Sequence, residues 1–282
     1  MTAAGDNHRF QRILVAVDAS PESRALLEMA ADLAKCFKSP LTGLYVEDED
    51  MLAFAGLPVG REISVIGARV LDLTHQRLQS HFQNQASQVQ RALRMAAAAR
   101  QISHTFAVLQ GRPEHEIRNA AEKTDLLAIG PKVGAILRPR GQELRRRFLE
   151  SSAEGFLVVP DLSITAHDGP VGTIYDGTPD SERAVRMAMR IAQGLARQIL
   201  VALLSGDDKT QAAEQHLKEM APGQMAPTTV KVDSIASFFE TLPSWRPGLV
   251  VLPAKIVEQS GWQWDRPRFP LLVLRNRNNE GS

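Results

Sequence analysis

The sequence is poor in cysteine, aromatic residues and net charge, and each shortage excludes a class of protein. The single cysteine, Cys36, has no partner for an internal disulfide, which favours a reducing compartment. Aromatic residues make up 5% of the 282 residues and the formal net charge is +1, so a nucleic-acid partner is not expected. The apolar runs fall far short of the ~20 residues that cross a bilayer, so no membrane partner is expected. Because residues 1–10 also lack the apolar core of a secretory signal, we expect a cytoplasmic protein.

A repeat relates the first part of the chain to the second. The segment Arg12–Ser23 reads RILVAVDASPES, and Val171–Ser181 reads VGTIYDGTPDS, at an offset of 158 residues. The offset continues without a gap into the next segment, where apolar residues recur every three or four positions, as on a buried helix face. A second echo relates Asp125–Lys132, DLLAIGPK, to Gly248–Lys255, GLVVLPAK. The repeat predicts two copies of one folding unit.

Each copy alternates short apolar runs with amphipathic stretches, the pattern of a parallel sheet covered by helices on both faces. The predicted fold class is therefore α/β, with two doubly wound parallel-sheet units, the second reduced and without its last helix. The predicted domains are residues 1–160, with an insertion at about 47–74, and residues 170–282. Residues 76–100 form the clearest predicted helix. The fifth strand of each unit, near 156–159 and 271–274, is expected to pair with the other, because exposed edge strands invite pairing.

The insertion begins acidic and turns apolar. Its apolar residues are expected to pack against the neighbouring unit or a second chain, and a pocket lid is the alternative. These residues are Met51, Leu52, Phe54 and Leu57.

The candidate ligand site follows from the sheet type, because ligands bind beyond the carboxyl ends of strands whose connections leave in opposite directions. In the first unit these are the first and fourth strands, which end near Asp18 and Gly130. Two interpretations of the turn after the first strand stay open. Ser20 and Pro21 are typical of a helix start, with Ser20 as the N-cap. Asp18, however, can place a carboxylate in the crevice and accept hydrogen bonds from a ribose or an adenine amine.

Three segments, taken in order and spacing, resemble the universal stress protein family. They are ILVAVDASPES at Ile13–Ser23, GLYV at Gly43–Val46, and GRPEHEI followed by DLLAIG within Gly111–Gly130. The resemblance covers nearly all of residues 11–160 and, more weakly, 170–276, so the chain resembles a tandem member. It implies an adenine nucleotide alpha hydrolase-like sheet with strand order 3-2-1-4-5, pairing of sheets between domains and, in one branch, ATP binding.

The resemblance also implies where an adenine nucleotide would bind. Asp18 and Val46 match adenosine contacts by position, and Gly130 opens the phosphate loop. ATP-binding members resemble G-x2-G-x9-G-[ST] here, whereas in this chain a proline follows Gly130, Gly134 comes one residue late, and Gln142 replaces the Ser or Thr. We therefore expect weak or lost binding of AMP, ADP or ATP, and no required cofactor. The candidate nucleotide-binding residues are Asp18, Ala19, Val46, Gly111, Gly130, Lys132, Gly134, Gly141 and Gln142.

A basic segment follows the altered loop, and a helix is predicted near Gly141–Ala153. Six Lys or Arg residues and one acid, Glu143, lie between positions 132 and 147. The segment is interpreted either as a clasp for phosphate or as a solvated helix face, since three consecutive arginines cannot all face one pocket. The candidate anion contacts are Arg138, Arg140 and Arg145. The second unit, which offers one glycine and no predicted helix after Pro253, is expected to keep only a vestigial site at Asp176, Gly177, Thr178 and Lys255.

Three functions are consistent with these observations. The first is a non-catalytic stress-response regulator of the tandem type, with weak or lost nucleotide binding in the first domain; its link to stress is implied by the resemblance. The second is a nucleotide-free protein-interaction or scaffold module, and the third is an ATP-binding member with weak ATPase activity. No nucleophile–base set, carboxylate pair or metal-ligand spacing is recognisable, so no catalytic or metal residue is assigned. The expected partners are an adenine nucleotide, a protein, or a second copy bound through a sheet edge.

Overall fold

In a computed structural model, the structure of the chain is described for residues 10–55, 61–64, 69–72, 75–122, 125–130, 152–159, 168–204, 210–221, 226–260 and 269–275. Ten strands form one sheet, and buried side chains fall into two clusters. Along the first strand Ile13 and Val15 belong to one cluster and Leu14 and Ala16 to the other. Because side chains alternate across a strand, the two clusters lie on opposite faces of the sheet.

The first half of the chain contributes five strands to this sheet. They are β1 (Arg12–Ala16), β2 (Leu41–Asp48), β5 (His104–Gly111), β6 (Asp125–Ile129) and β7 (Gly155–Val158). The helices of this half are α1 (Pro21–Phe37), α2 (Glu49–Ala55), α3 (His75–Arg100) and α4 (Pro113–Ala120). A separate antiparallel hairpin, β3 (Arg61–Ser64) and β4 (Arg69–Asp72), lies between α2 and α3 in the sequence. Helix α3 confirms the predicted helix, with its apolar stripe buried.

The second half contributes the remaining strands. They are β8 (Val171–Tyr175), β9 (Ile199–Leu204), β10 (Thr228–Val232), β11 (Leu249–Pro253) and β12 (Leu271–Leu274). The helices are α5 (Pro179–Gly194), α6 (Thr210–Met220), α7 (Ile235–Trp245) and α8 (Ala254–Gln259). Helix α8 shows that the prediction of a missing last helix was wrong. It spans six residues and is held by the buried side chains of Ile256 and Val257.

The strand order across the sheet is β10-β9-β8-β11-β12-β7-β6-β1-β2-β5. Within each half the strands are parallel and follow the predicted order 3-2-1-4-5. The fifth strands β7 and β12 pair antiparallel, with Gly155 opposite Leu274 and Val158 opposite Leu271. This pairing confirms the expected contact between the two halves and makes the sheet continuous.

Equivalent helices of the two halves also touch each other. Gly194 in α5 is related to Cys36 in α1 by the 158-residue offset, and a Cβ atom on Gly194 would lie 2.5 Å from the Cys36 Sγ. Contact between equivalent positions is the mark of a two-fold relationship, here between two halves of one chain. Partial burial raises the pKa of the Cys36 thiol to about 11.

A buried ion pair joins the halves at a second point. Arg183, in α5, is 8% exposed, contacts the Glu154 carboxylate just before β7, and donates to the carbonyl oxygen of Arg275 at 2.6 Å. The Arg275 amide in turn donates to the Glu154 carbonyl at 2.9 Å. The position equivalent to Arg183 in the first half is Ala25, so this contact has no symmetric counterpart.

The insertion packs within the first half. Helix α2 lies against α3 and β5, where Leu52 is buried and Met51 packs on the same core cluster. The expected packing against the neighbouring unit was therefore wrong for these two residues, whereas packing on a second chain stays a prediction. Because α2 follows β2 directly, the nearest apolar surface is the one that α3 already forms. The Phe54 side chain and Leu57 lie outside the described residues.

Candidate functional site

Three of the predicted site residues lie at the carboxyl ends of neighbouring strands. Ala16 of β1 is opposite Leu44 of β2 and Ile129 of β6. Asp18 and Val46 each lie two residues beyond this level, and Gly130 lies one residue beyond it. Neighbouring strands are ~4.8 Å apart, so the ends of these three strands form one continuous edge.

Asp18 organises the turn that begins α1. Its Oδ1 accepts hydrogen bonds from the Ser20 amide at 2.9 Å and from the Ser23 Oγ at 2.5 Å. The Ser23 amide donates to the Ser20 Oγ at 3.2 Å, which confirms Ser20 as the N-cap. The second carboxylate oxygen, Oδ2, has no hydrogen-bond partner among the described residues. The turn thus uses only one carboxylate oxygen of Asp18.

A cavity of about 350 Å³ opens beside Asp18, between α1 and α3. Leu27, Val89 and Ala92 give it apolar walls, and the exposed side chains of Arg24 and Gln88 lie at its border. Arg24 has no ion-pair partner among the described side chains. Arg24 and Gln88 were not predicted from the sequence. The cavity depends on the distance between α1 and α3, and no sequence motif indicates that distance. The full lining is Asp18, Ala19, Ser20, Arg24, Leu27, Gln88, Val89 and Ala92.

Gly111 is not brought to this group. It ends β5, where it is opposite Asp48, and β5 is separated from β1 by β2. Its φ is +155° and a Cβ atom would lie 2.9 Å from the Glu116 Cγ. The positive φ, which residues with a side chain rarely adopt, therefore explains the glycine here without reference to a ligand.

The rest of the predicted loop and basic segment lies outside the described residues. This applies to the candidate residues Lys132, Gly134, Arg138, Arg140, Gly141, Gln142 and Arg145. Of the helix predicted near Gly141–Ala153, only Ser152 and Ala153 are described, and neither is helical.

The second half repeats the aspartate turn. The Asp176 Oδ1 accepts hydrogen bonds from the Thr178 amide at 3.0 Å and the Thr178 Oγ1 at 2.6 Å. The Asp176 amide donates to the Ser181 Oγ at 3.3 Å, as the Asp18 amide donates to the Ser23 Oγ at 3.1 Å. Burial acts to raise the pKa of the Asp176 carboxyl, but the hydrogen bonds from Ser181 and Thr178 outweigh it, so the pKa lies below its ordinary value. Gly177, with φ +81°, occupies the exposed corner of this turn.

The fourth strand of the second half ends differently. Pro253 takes the place of Gly130 and, having no N–H, directly precedes α8. Thr173 of β8 is opposite Val251 of β11, so α8 begins level with Asp176. A helix with a buried face therefore stands where the first half continues into residues 131–150, and Lys255 is exposed on that helix.

The position equivalent to Arg24 is also changed in the second half. It is Glu182, whose carboxylate is 2.6 Å from the Arg186 Nη2 and 3.7 Å from the His216 Nε2. The hydrogen bond from Arg186 lowers the pKa of Glu182. The Tyr175 ring lies 6.1 Å from the His216 ring, centroid to centroid. Glu182 is thus engaged by neighbouring side chains, whereas no described side chain forms an ion pair with Arg24.

Within the described ranges, no three His, Cys, Asp or Glu side chains are grouped so that they could hold a metal ion. No helix in the same part of the chain has the length and apolar character needed to cross a membrane.

Comparisons with known proteins place the chain in a family. A universal stress protein from Archaeoglobus fulgidus DSM 4304 matches with a TM-score of 0.64 and 15% identity, over 94% of this chain and 98% of that one. A functionally unknown protein from Pseudomonas aeruginosa PAO1 matches with a TM-score of 0.54 and 13% identity, over 94% and 92%. The shorter universal stress protein UspA from Lactobacillus plantarum matches with a TM-score of 0.38 and 20% identity, over 54% and 99%. No curated protein matches this chain significantly.

The structural matches described above are below 25% identity, so they support the fold alone. The sequence profile of the universal stress protein family goes further, because it matches residues 9–154, just over half of the chain. The matched region contains β1, the Asp18 turn and Gly130. The chain therefore belongs to the universal stress protein family.

Proposed function

We propose that this protein is a non-catalytic regulator of the tandem universal stress protein type, which binds an adenine nucleotide weakly in its first half and none in its second. The observation that carries the proposal is the contrast between the surroundings of Asp18, after β1, and those of Asp176, after β8. Both have the aspartate turn, but a cavity with Arg24, unpaired among the described side chains, at its border lies beside Asp18, whereas the equivalent Glu182 is engaged by Arg186 and His216.

The residues grouped in the first half fit an adenosine better than a reacting group. Asp18 offers its unpaired Oδ2 to a ribose hydroxyl or an adenine amine. Val46 follows the neighbouring strand, but its side chain packs on the opposite cluster and does not line the cavity. The exposed guanidinium of Arg24 can pair with a phosphate. A carboxylate tied into a turn, a valine and a glycine do not make a nucleophile with its base, which supports a binding role.

The size of the cavity favours a small nucleotide. Its volume of about 350 Å³ is close to the lower end of the ~300–1,000 Å³ range of small-molecule pockets. The proline after Gly130 and the displaced Gly134 remove main-chain contacts that a triphosphate would use. We therefore infer that AMP and ADP bind about as well as ATP.

Calorimetric titration of the full chain with AMP, ADP and ATP tests the proposal. The sharpest variant is Asp18→Asn, because an amide oxygen still accepts from Ser20 and Ser23 while the charge is lost. We expect affinity to fall by roughly tenfold or more, since hydrogen bonds to charged groups contribute about 1.5–3 kcal/mol. Asp176→Asn is the matched control and should leave binding unchanged.

Two outcomes would replace the proposal with one of the other functions. Binding of ATP about a hundredfold tighter than that of AMP, with slow hydrolysis, would identify an ATP-binding member with ATPase activity. Absence of any nucleotide binding by a folded chain would identify a nucleotide-free interaction module.

A further inference from the structure

Two strands form the outer edges of the ten-stranded sheet, and they differ in length and charge. The edge strand β5 has eight residues, HTFAVLQG, with no Asp, Glu, Lys or Arg among them. The opposite edge strand β10 has five residues, TTVKV, and its Lys231 is exposed. Charged side chains, especially lysine, protect an edge from pairing with another strand. Only β10 has this protection.

The outward main-chain groups of β5 can be assigned from one hydrogen bond. The Leu41 amide of β2 donates to the Ser103 carbonyl at 3.0 Å, so the main chain of Ser103 faces β2. Because successive residues of a strand point their N–H and C=O groups to alternate sides, the residues that face away from β2 are His104, Phe106, Val108 and Gln110. No described strand pairs with β5 on that side.

The side chains of β5 add an apolar surface to these open groups. Val108 is 45% exposed, one of two large apolar side chains in the described residues with such exposure. Phe106 packs on the core cluster that includes α3, and Ala107 and Leu109 pack on the opposite cluster, but all three are only half-buried. A long, uncharged and partly apolar edge is suited to pairing with another strand.

The sequence of β5 is complementary to itself in an antiparallel register centred on Ala107. In this register Phe106 is opposite Val108 of the second copy, and His104 is opposite Gln110. These residues have outward main-chain groups, so each opposed pair exchanges two hydrogen bonds. The apolar pair Phe106–Val108 and the polar pair His104–Gln110 match, Thr105 is opposite Leu109, and no like charges are opposed.

We propose that β5 is an association surface for a second copy of this chain, paired antiparallel about Ala107. The chain already joins its two similar halves by antiparallel pairing of edge strands, β7 with β12. A two-fold pairing uses both β5 edges at once and leaves only the β10 edges, which carry Lys231. The assembly therefore closes as a dimer and does not extend into a filament.

Light scattering after size exclusion, over a range of protein concentrations, tests this association. We expect a dimer of 31.0-kDa chains for the wild type and a monomer for Val108→Lys, which places a lysine opposite Phe106 of the other copy. Val108→Thr keeps a β-branched side chain and should still dimerise, which separates loss of pairing from loss of folding. Thr228→Lys adds the same charge to the exposed start of β10 and should have no effect.

Hydrogen exchange identifies the edge directly. The amides of Phe106 and Val108 should exchange faster on dilution of the wild type, while amides in the central strands β1 and β8 do not change. A wild-type chain that is monomeric at every concentration would overturn the proposal. So would a folded Val108→Lys variant that remains a dimer, or a Thr228→Lys variant that becomes a monomer.

Discussion

Asp18 and Asp176 end equivalent strands and form the same hydrogen-bonded turn, yet their surroundings differ. In the first half the turn adjoins a cavity between α1 and α3, with Arg24 at its border. In the second half Glu182 takes the place of Arg24, and α8 begins level with the aspartate. The comparison teaches that the repeated aspartate motif encodes a helix start, and that the side chains around this turn differ between the halves.

The largest expected effect concerns the ion pair between Arg183 and Glu154, which has no symmetric counterpart in the other half. Arg183→Ala removes the cation that contacts the Glu154 carboxylate, and removal of one partner of a buried pair typically costs about 3–5 kcal/mol. We expect a loss of that size in the free energy of unfolding by urea. The double variant Arg183→Ala, Glu154→Ala should recover part of it. If the single variant is as stable as the wild type, the junction between the halves does not depend on this pair.

The shared turn should contribute equally to both halves. Asp18→Ala and Asp176→Ala each remove an acceptor for two donors, and each should lower the free energy of unfolding by about 1–2 kcal/mol. Thermal and urea unfolding of the two variants, with Asp18→Asn and Asp176→Asn as milder controls, measures this. A large effect in only one half would show that the two turns are not structurally equivalent.

The exchange of charge between Arg24 and Glu182 gives a smaller and more specific test. Arg24→Glu copies the second half into the first and should weaken AMP binding by roughly tenfold, through loss of a phosphate contact. Glu182→Arg should create no binding, because Pro253 and α8 remain next to Asp176. Calorimetry on both variants measures the effect. Unchanged AMP affinity in Arg24→Glu would remove this cavity from the nucleotide site.

The smallest expected effect is on the acid side of the stability profile. The pKa of Asp176 is lowered in the folded chain from its ordinary 3.8, so the unfolded chain binds a proton more readily. This carboxylate therefore adds stability above the ordinary carboxyl pKa, and the contribution is lost as pH falls through the lowered value. Melting temperatures of Asp176→Asn and the wild type should converge on acidification. A gap that stays constant with pH would contradict this assignment.

Much of the fold could be predicted from the sequence because it depends on local pattern. Nearly continuous apolar runs gave the strands of a parallel sheet, and the 3–4 spacing of Leu78, Phe82 and Ala86 gave α3. Ser20 before Pro21 gave the start of α1. The repeat of these signals at a fixed offset predicted the fold of the second half. The family resemblance predicted the strand order and the sheet pairing between domains.

The remaining features depend on short elements or distant contacts. Helix α8 has six residues and follows Pro253, so it carries neither a full helical period nor a capping side chain. The contact between Arg183 and Glu154 joins positions whose sequences give no sign of one another. The cavity between α1 and α3 depends on the separation of two helices. The strand pattern therefore predicted that Asp18 and Gly130 lie close together, and the family resemblance added Val46, but neither predicted Arg24.

Diffraction from crystals grown with bromine-labelled AMP tests the central claim most directly, because the anomalous signal of bromine locates each bound nucleotide. The account predicts one bromine per chain, beside Asp18 in the first half, and none near Asp176. A bromine next to Asp176 and α8 in the second half, or equal occupancy of both halves, would contradict the account.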